Sequence, residues 1–168
     1  MLPEEFLSFD QLSQGFIEGL SALRFFSVGG ITTIWWHNIR VILLATILGI
    51  FSFGILGILI LMFPLIIIGY VAGNVAAVGL SATRFITGLV LPHAFLEIPA
   101  LILAGTVILN LGATLTTPAD GKTIGEAWVI ALAKWAKIMI GLVIPLFFGA
   151  ALIEVLITPH IAVLLFGS

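Results

Sequence analysis

The stretch VILLATILGIFSFGILGILILMFPLIIIGYVAGNVAAVGLSAT, residues 41–83, contains no Asp, Glu, Lys or Arg. About 20 apolar residues suffice for one helical crossing of a bilayer, so this run holds two passes. In hydrocarbon every backbone N–H and C=O must be paired within the protein, which leaves helices and closed β-barrels as the spanning structures. Barrels read as alternating segments of about ten residues, and nothing here alternates over such lengths. The segments are therefore helices. The whole chain agrees with this central run, being 61% hydrophobic and 8% charged where a soluble domain carries roughly 25% charged residues. The expected fold class is all-α: a polytopic transmembrane helical bundle of about four or five spanning or re-entrant helices, multi-pass in the cell membrane with the lipid bilayer as its surroundings. A net charge of −2 offers no basic patch, so nucleic acid is not an expected partner. The absence of cysteine excludes disulfides and thiolate chemistry. The acidic start, Glu4-Glu5, is unlike the basic start of a cleavable signal peptide.

Ahead of the apolar run, residues 3–26 mix Glu4, Glu5, Asp10, Glu18 and Arg24 with Phe6, Phe9, Phe16, Ile17 and Leu20. That charge density is too high for a span and fits an N-terminal interfacial amphipathic helix. The chain thus divides into an amphipathic segment, residues 1–30, and a transmembrane helical domain, residues 31–168. Gly29-Gly30 is the expected break, followed by Trp35, Trp36 and His37 at the water–lipid boundary, where Trp is enriched. The first span is read from Asn38 to Met62, with Asn38, Ala45, Gly49 and Ser52 forming one small and polar stripe. Pro64 is read as the start of the next element. Residues 64–80 are short and interrupted by Gly69, Gly73, Asn74 and Gly79, so a full crossing and a re-entrant element both fit. Gly69 with Gly73, and Ala45 with Gly49, supply close-packing faces beyond the needs of a small bundle, which points to a homodimer.

The third span contains Leu91-Pro92-His93-Ala94-Phe95-Leu96-Glu97-Ile98-Pro99-Ala100. Pro92 suits a first helical turn, whereas Pro99 has no N–H for the carbonyl of Phe95 and predicts a kink there. His93 and Glu97, at i and i+4, share one face that continues through Ala100 and Ala104. Thr116–Lys122 is a polar loop, and Thr123-Ile124-Gly125-Glu126 predicts a capping box. Trp128, Lys134, Trp135 and Lys137 mark the following helix as partly interfacial. An apolar run, 138–153, interrupted by Pro145, leads to Ala150, Glu154 and Thr158 at i, i+4 and i+8. No internal repeat is evident, which gives little support to an inverted-repeat transporter. Arg24, Arg40 and Arg84 balance Lys122, Lys134 and Lys137 three against three, a distribution that sets no orientation.

Ionisable groups at membrane depth are costly unless paired, and are functional candidates by default. His93, Glu97, Glu154 and Asn38 are therefore the candidate intramembrane polar site. One reading is an interhelical hydrogen-bond cluster, worth roughly 0.6 to 2 kcal/mol per bond. The other is a binding or proton-handling site. One His and two Glu also offer the donor types of a three-ligand site for zinc or another divalent metal, although no HExxH is present.

These residues resemble the stage II sporulation protein M family. The resemblance rests on Asn38 at the start of a span, on the block Leu91–Ala100 followed by Ala104-Gly105, and on Ile153-Glu154 with Thr158-Pro159; it covers roughly residues 36–160. Two departures are Ala94, where the family pattern usually has Gly, and an amphipathic front in place of a hydrophobic first span. The resemblance implies a polytopic membrane protein linked to an assembly that recruits peptidoglycan-degrading partners, and no particular catalytic reaction. Three function classes follow: a membrane scaffold or organiser of an envelope-remodelling complex, an ion or small-solute channel or transporter, and an intramembrane metal-dependent hydrolase. No GxSxG and no P-loop pattern occurs, so serine chemistry and phosphate cradling find no support.

Overall fold

A turn at Ser52–Gly54 divides the apolar run, not Pro64. In the computed structural model, which describes residues 28–119 and 121–166, α1 spans Val28–Phe51 and α2 spans Ile55–Ala77. Pro64 lies inside α2, where it forfeits only its own bond to a preceding carbonyl, a loss that membrane helices tolerate. The turn itself carries little local signal. Phe53 and Gly54 adopt φ of 53° and 97°, a left-handed pair that glycine accepts and phenylalanine does not favour. Tertiary contact holds it: the Gly54 N–H donates to the Gly49 carbonyl at 2.6 Å, and Gly112 lies so close beneath that a Cβ there would come 2.5 Å from the Gly54 nitrogen.

Two further boundaries are corrected with it. Gly29 and Gly30 fall inside α1 rather than breaking a helix. Residues 64–80 are not a separate element, because α2 runs unbroken for 23 residues from Ile55. The amphipathic segment expected over residues 3–26 lies outside the described residues.

The third long helix joins α3 (Ala82–Phe85), a π-helical turn (Ile86–Val90) and α4 (Leu91–Ala113) without interruption. Pro92 takes the first turn of α4, as its fixed φ and missing N–H favour. A π-helical distortion sits just upstream of Pro92, where the Leu91 N–H reaches back to the Ile86 carbonyl. α4 continues through Pro99. After the loop, Thr123 and Glu126 form the expected capping box, and α5 (Ile124–Ile138), a second π-helical turn (Met139–Val143) and α6 (Ile144–Leu156) follow. α7 (Thr158–Phe166) closes the described chain.

Four helical runs are long and apolar enough to cross a membrane: 29–51, 55–77, 82–113 and 124–165. They alternate in direction. Asn38 meets Glu97 and Gly49 meets Ile108, so α1 and α4 run parallel. Trp35 meets Ile144 and Thr46 meets Trp135, so the α5–α6 run is antiparallel to α1. Ala45, Ala100, Ala104, Ile108 and Val143 are fully buried where these helices meet. Small side chains at such contacts let backbones approach, which is how helices gain packing energy in lipid, where no hydrophobic effect drives them together.

Candidate functional site

The polar residues gather where α1, α4 and α6 meet. Asn38 on α1 donates from Nδ2 to Glu97 Oε1 on α4 at 3.2 Å. Glu97 lies at the middle of the apolar run 82–113, so this bond sits deep within the bundle, and both side chains are half-buried. Glu154 on α6, also half-buried, is within electrostatic range of Glu97. His93 sits one turn before Glu97 on α4, and its buried Nδ1 has no hydrogen-bond partner. The structure thus brings Asn38, Glu97 and Glu154 into one polar layer, with His93 beside it and unpartnered.

The metal reading is not carried by this arrangement. Among the described residues no three His, Asp or Glu side chains are close enough to hold one ion, so His93, Glu97 and Glu154 share a layer without forming a ligand set. Phe95 and Pro99 occupy the exposed face of α4, so the acceptor that Pro99 leaves short belongs to the opposite side from Glu97. The small-residue pairs part company. Ala45 and Gly49 are buried inside the bundle, spent on the α1 contacts with α2 and α4, whereas Gly69 and Gly73 are exposed with nothing within 4 Å of a Cβ built on either.

Two tryptophans read from sequence as interfacial turn out to fasten the bundle. Trp35 Nε1 donates to the Ile144 carbonyl at 3.3 Å and its ring meets Phe148 edge-on with centroids 5.8 Å apart. Trp135 Nε1 donates to Thr46 Oγ1 at 3.3 Å, and that hydroxyl donates in turn to the Ile42 carbonyl at 2.9 Å. Sequence reasoning missed these partners because a Trp suits both an interface and a buried donor role. The available signal was Thr46, a hydroxyl with only apolar neighbours on either side in an uncharged run. Trp36 remains exposed, with the Arg40 guanidinium 5.7 Å from its ring centroid.

The family model for stage II sporulation protein M matches residues 12–159, which include Asn38, His93, Glu97 and Glu154. The chain belongs to the stage II sporulation protein M family. With four apolar helical runs of crossing length, it is a multi-pass membrane protein of that family. Neither the curated proteins nor the solved structures contain a match to it.

Proposed function

We propose that this protein is a membrane scaffold that organises an envelope-remodelling complex in the cell membrane, and that it holds its partners through the outer half of α2. The observation that supports this most is the state of that helix. Gly57 and Leu61 are its buried residues, and beyond them Gly69, Tyr70, Gly73 and Asn74 are all exposed. A glycine pair at i and i+4 lets a second helix approach closely, and here that space is unfilled. The first occupant is a second copy of the chain, as a two-fold homodimer; envelope-remodelling proteins add to it.

In this reading the Asn38–Glu97–Glu154 layer serves the scaffold by setting the register of α1, α4 and α6, since a misaligned helix would leave a carboxyl unpaired in hydrocarbon. The test of the scaffold is disulfide trapping in native membranes. Gly73→Cys, in a chain with no other cysteine, should form a dimer of twice 17.9 kDa, and Gly69→Ile should abolish it. A chain that stays monomeric with Gly73→Cys and still supports envelope remodelling in cells defeats the proposal.

A further inference from the structure

One segment of the chain occurs twice. Arg84-Phe85-Ile86-Thr87-Gly88-Leu89-Val90-Leu91-Pro92 pairs with Lys137-Ile138-Met139-Ile140-Gly141-Leu142-Val143-Ile144-Pro145, and Phe95 pairs with Phe148 in the same register. The shared core is Gly-Leu-Val, then Leu or Ile, then Pro, with a base four residues before the glycine. A repeat this short does not show as a periodic pattern in an apolar chain. The structure gives it weight, because the two π-helical turns among the described residues fall on corresponding positions, Ile86–Val90 and Met139–Val143. In each copy the proline takes the first turn of the helix that follows.

The copies run in opposite directions, one in the third long run and one in the fourth. Leu96 and Gly149 are corresponding residues, and they meet: a Cβ on Gly149 would lie 2.9 Å from Leu96 Cδ1. Two antiparallel copies bring one corresponding pair level, and here that pair is in contact, so the local two-fold axis that relates the copies passes between Leu96 and Gly149. Arg84 and Lys137 lie equally far from that crossing along their helices, about 18 Å each at 1.5 Å per residue, on opposite sides of it. Their separation along the bundle, about 36 Å, compares with a hydrocarbon core of about 30 Å. Both bases are exposed, and long cationic side chains reach for the headgroups. The crossing then lies midway between the two bases, beside Glu97.

Within the second copy, packing does not explain the glycine. Nothing lies within 4 Å of a Cβ built on Gly141, yet glycine weakens a helix. Ease of bending accounts for it, and π-helical turns next to proline are where helices bend. We infer that residues 84–96 and 137–149 form an inverted pair of hinges, anchored by Arg84 and Lys137 at opposite membrane faces, which bend α4 and α6 in concert about the Leu96–Gly149 crossing.

The absence of native cysteine makes the test direct, using the full chain in membranes. Arg84→Cys and Lys137→Cys should react with an impermeant maleimide from opposite sides, in right-side-out and inverted vesicles respectively or the reverse. Reaction of both from one side overturns the inverted repeat. Spin-label pairs then read the hinges: Thr83→Cys with Ile102→Cys across the first, Val129→Cys with Leu156→Cys across the second, and Thr33→Cys with Ile47→Cys along α1 as the control. Distance distributions across both hinges should be broader than the control, and Pro145→Ala should narrow both of them to its width, with Pro92→Ala doing the same. Distributions no broader than the control, or narrowing confined to the substituted hinge, overturn the concerted pair.

Discussion

Gly49 and Gly57 at the α1–α2 turn and Gly69 and Gly73 on outer α2 look alike in sequence and meet opposite fates. At the turn the glycines are crowded: a Cβ on Gly57 would come 2.7 Å from the Ala45 carbonyl oxygen, and one on Gly49 would come 2.5 Å from Ile108 Cγ2. On outer α2 a Cβ would meet nothing within 4 Å. A small-residue spacing therefore says that a helix can be approached closely, while the path of the chain decides whether its own helices take the offer. The inner set closes the bundle. The outer set stays available at the surface.

The contrast breaks first at Gly112, which completes the inner set by facing the Gly54 nitrogen and the Phe53 carbonyl carbon at 2.5 and 2.6 Å from a built Cβ. Gly112→Ala pushes on backbone rather than on a flexible side chain, so its cost should reach at least about 3 kcal/mol, the upper end for overpacking. Thermal unfolding in detergent should show a large fall in midpoint or no folded protein at all. A midpoint near that of the parent would mean that the turn adapts and that the inner glycines are not required.

The polar layer comes next in size. Glu97→Ala removes the acceptor of Asn38 Nδ2, and stranding that amide should cost about 1–3 kcal/mol. Glu97→Gln keeps the shape and an acceptor oxygen, so its stability should stay near the parent's. Cellular complementation scored beside stability separates roles: full complementation by Glu97→Gln defeats any claim that the charge matters, and loss of complementation in a stable protein assigns one. A smaller change, about 0.6 kcal/mol, is expected for Trp135→Phe, which deletes one interhelical bond to Thr46; measured by the same unfolding assay, a loss several times larger would mean the indole also packs a load-carrying contact.

Smallest of all is Gly73→Ala. With space around it and a helical backbone, the alanine should raise the stability of the single chain by about 0.5–1 kcal/mol, in direct opposition to Gly112→Ala. Destabilisation of the monomer would show that outer α2 is packed after all.

Much of this molecule could be read from the chain. Residues 41–83 announced apolar helices of crossing length, although the first of them begins upstream at Val28, Thr123 and Glu126 announced a helix start, and Pro92 announced another. These signals are local: an apolar run, a capping pair and a missing N–H act on the residues beside them. The placement of the first turn was not legible, since Phe-Ser-Phe-Gly offers only one glycine and Ser52, whose Oγ accepts from the Leu56 N–H, and Pro64 offered a stronger but misleading cue. Of the candidate site, the shared face of His93 and Glu97 followed from helical periodicity, whereas the Asn38–Glu97 bond joins residues far apart in the chain.

By itself the sequence determined a helical membrane protein, because a chain with 8% charged residues cannot solvate a water-facing surface, and it marked His93, Glu97, Glu154 and Asn38 as candidates to look inward, because lipid offers polar groups no partner. Only the tertiary structure decided that Ala45 and Gly49 are spent inside while Gly69 and Gly73 are not, that Asn38 rather than His93 meets Glu97, and that Leu96 crosses Gly149. Each depends on which helices lie side by side and in what register. That is a property of the whole packed bundle, in which a short turn held by Gly112 outweighs the local preference of a proline.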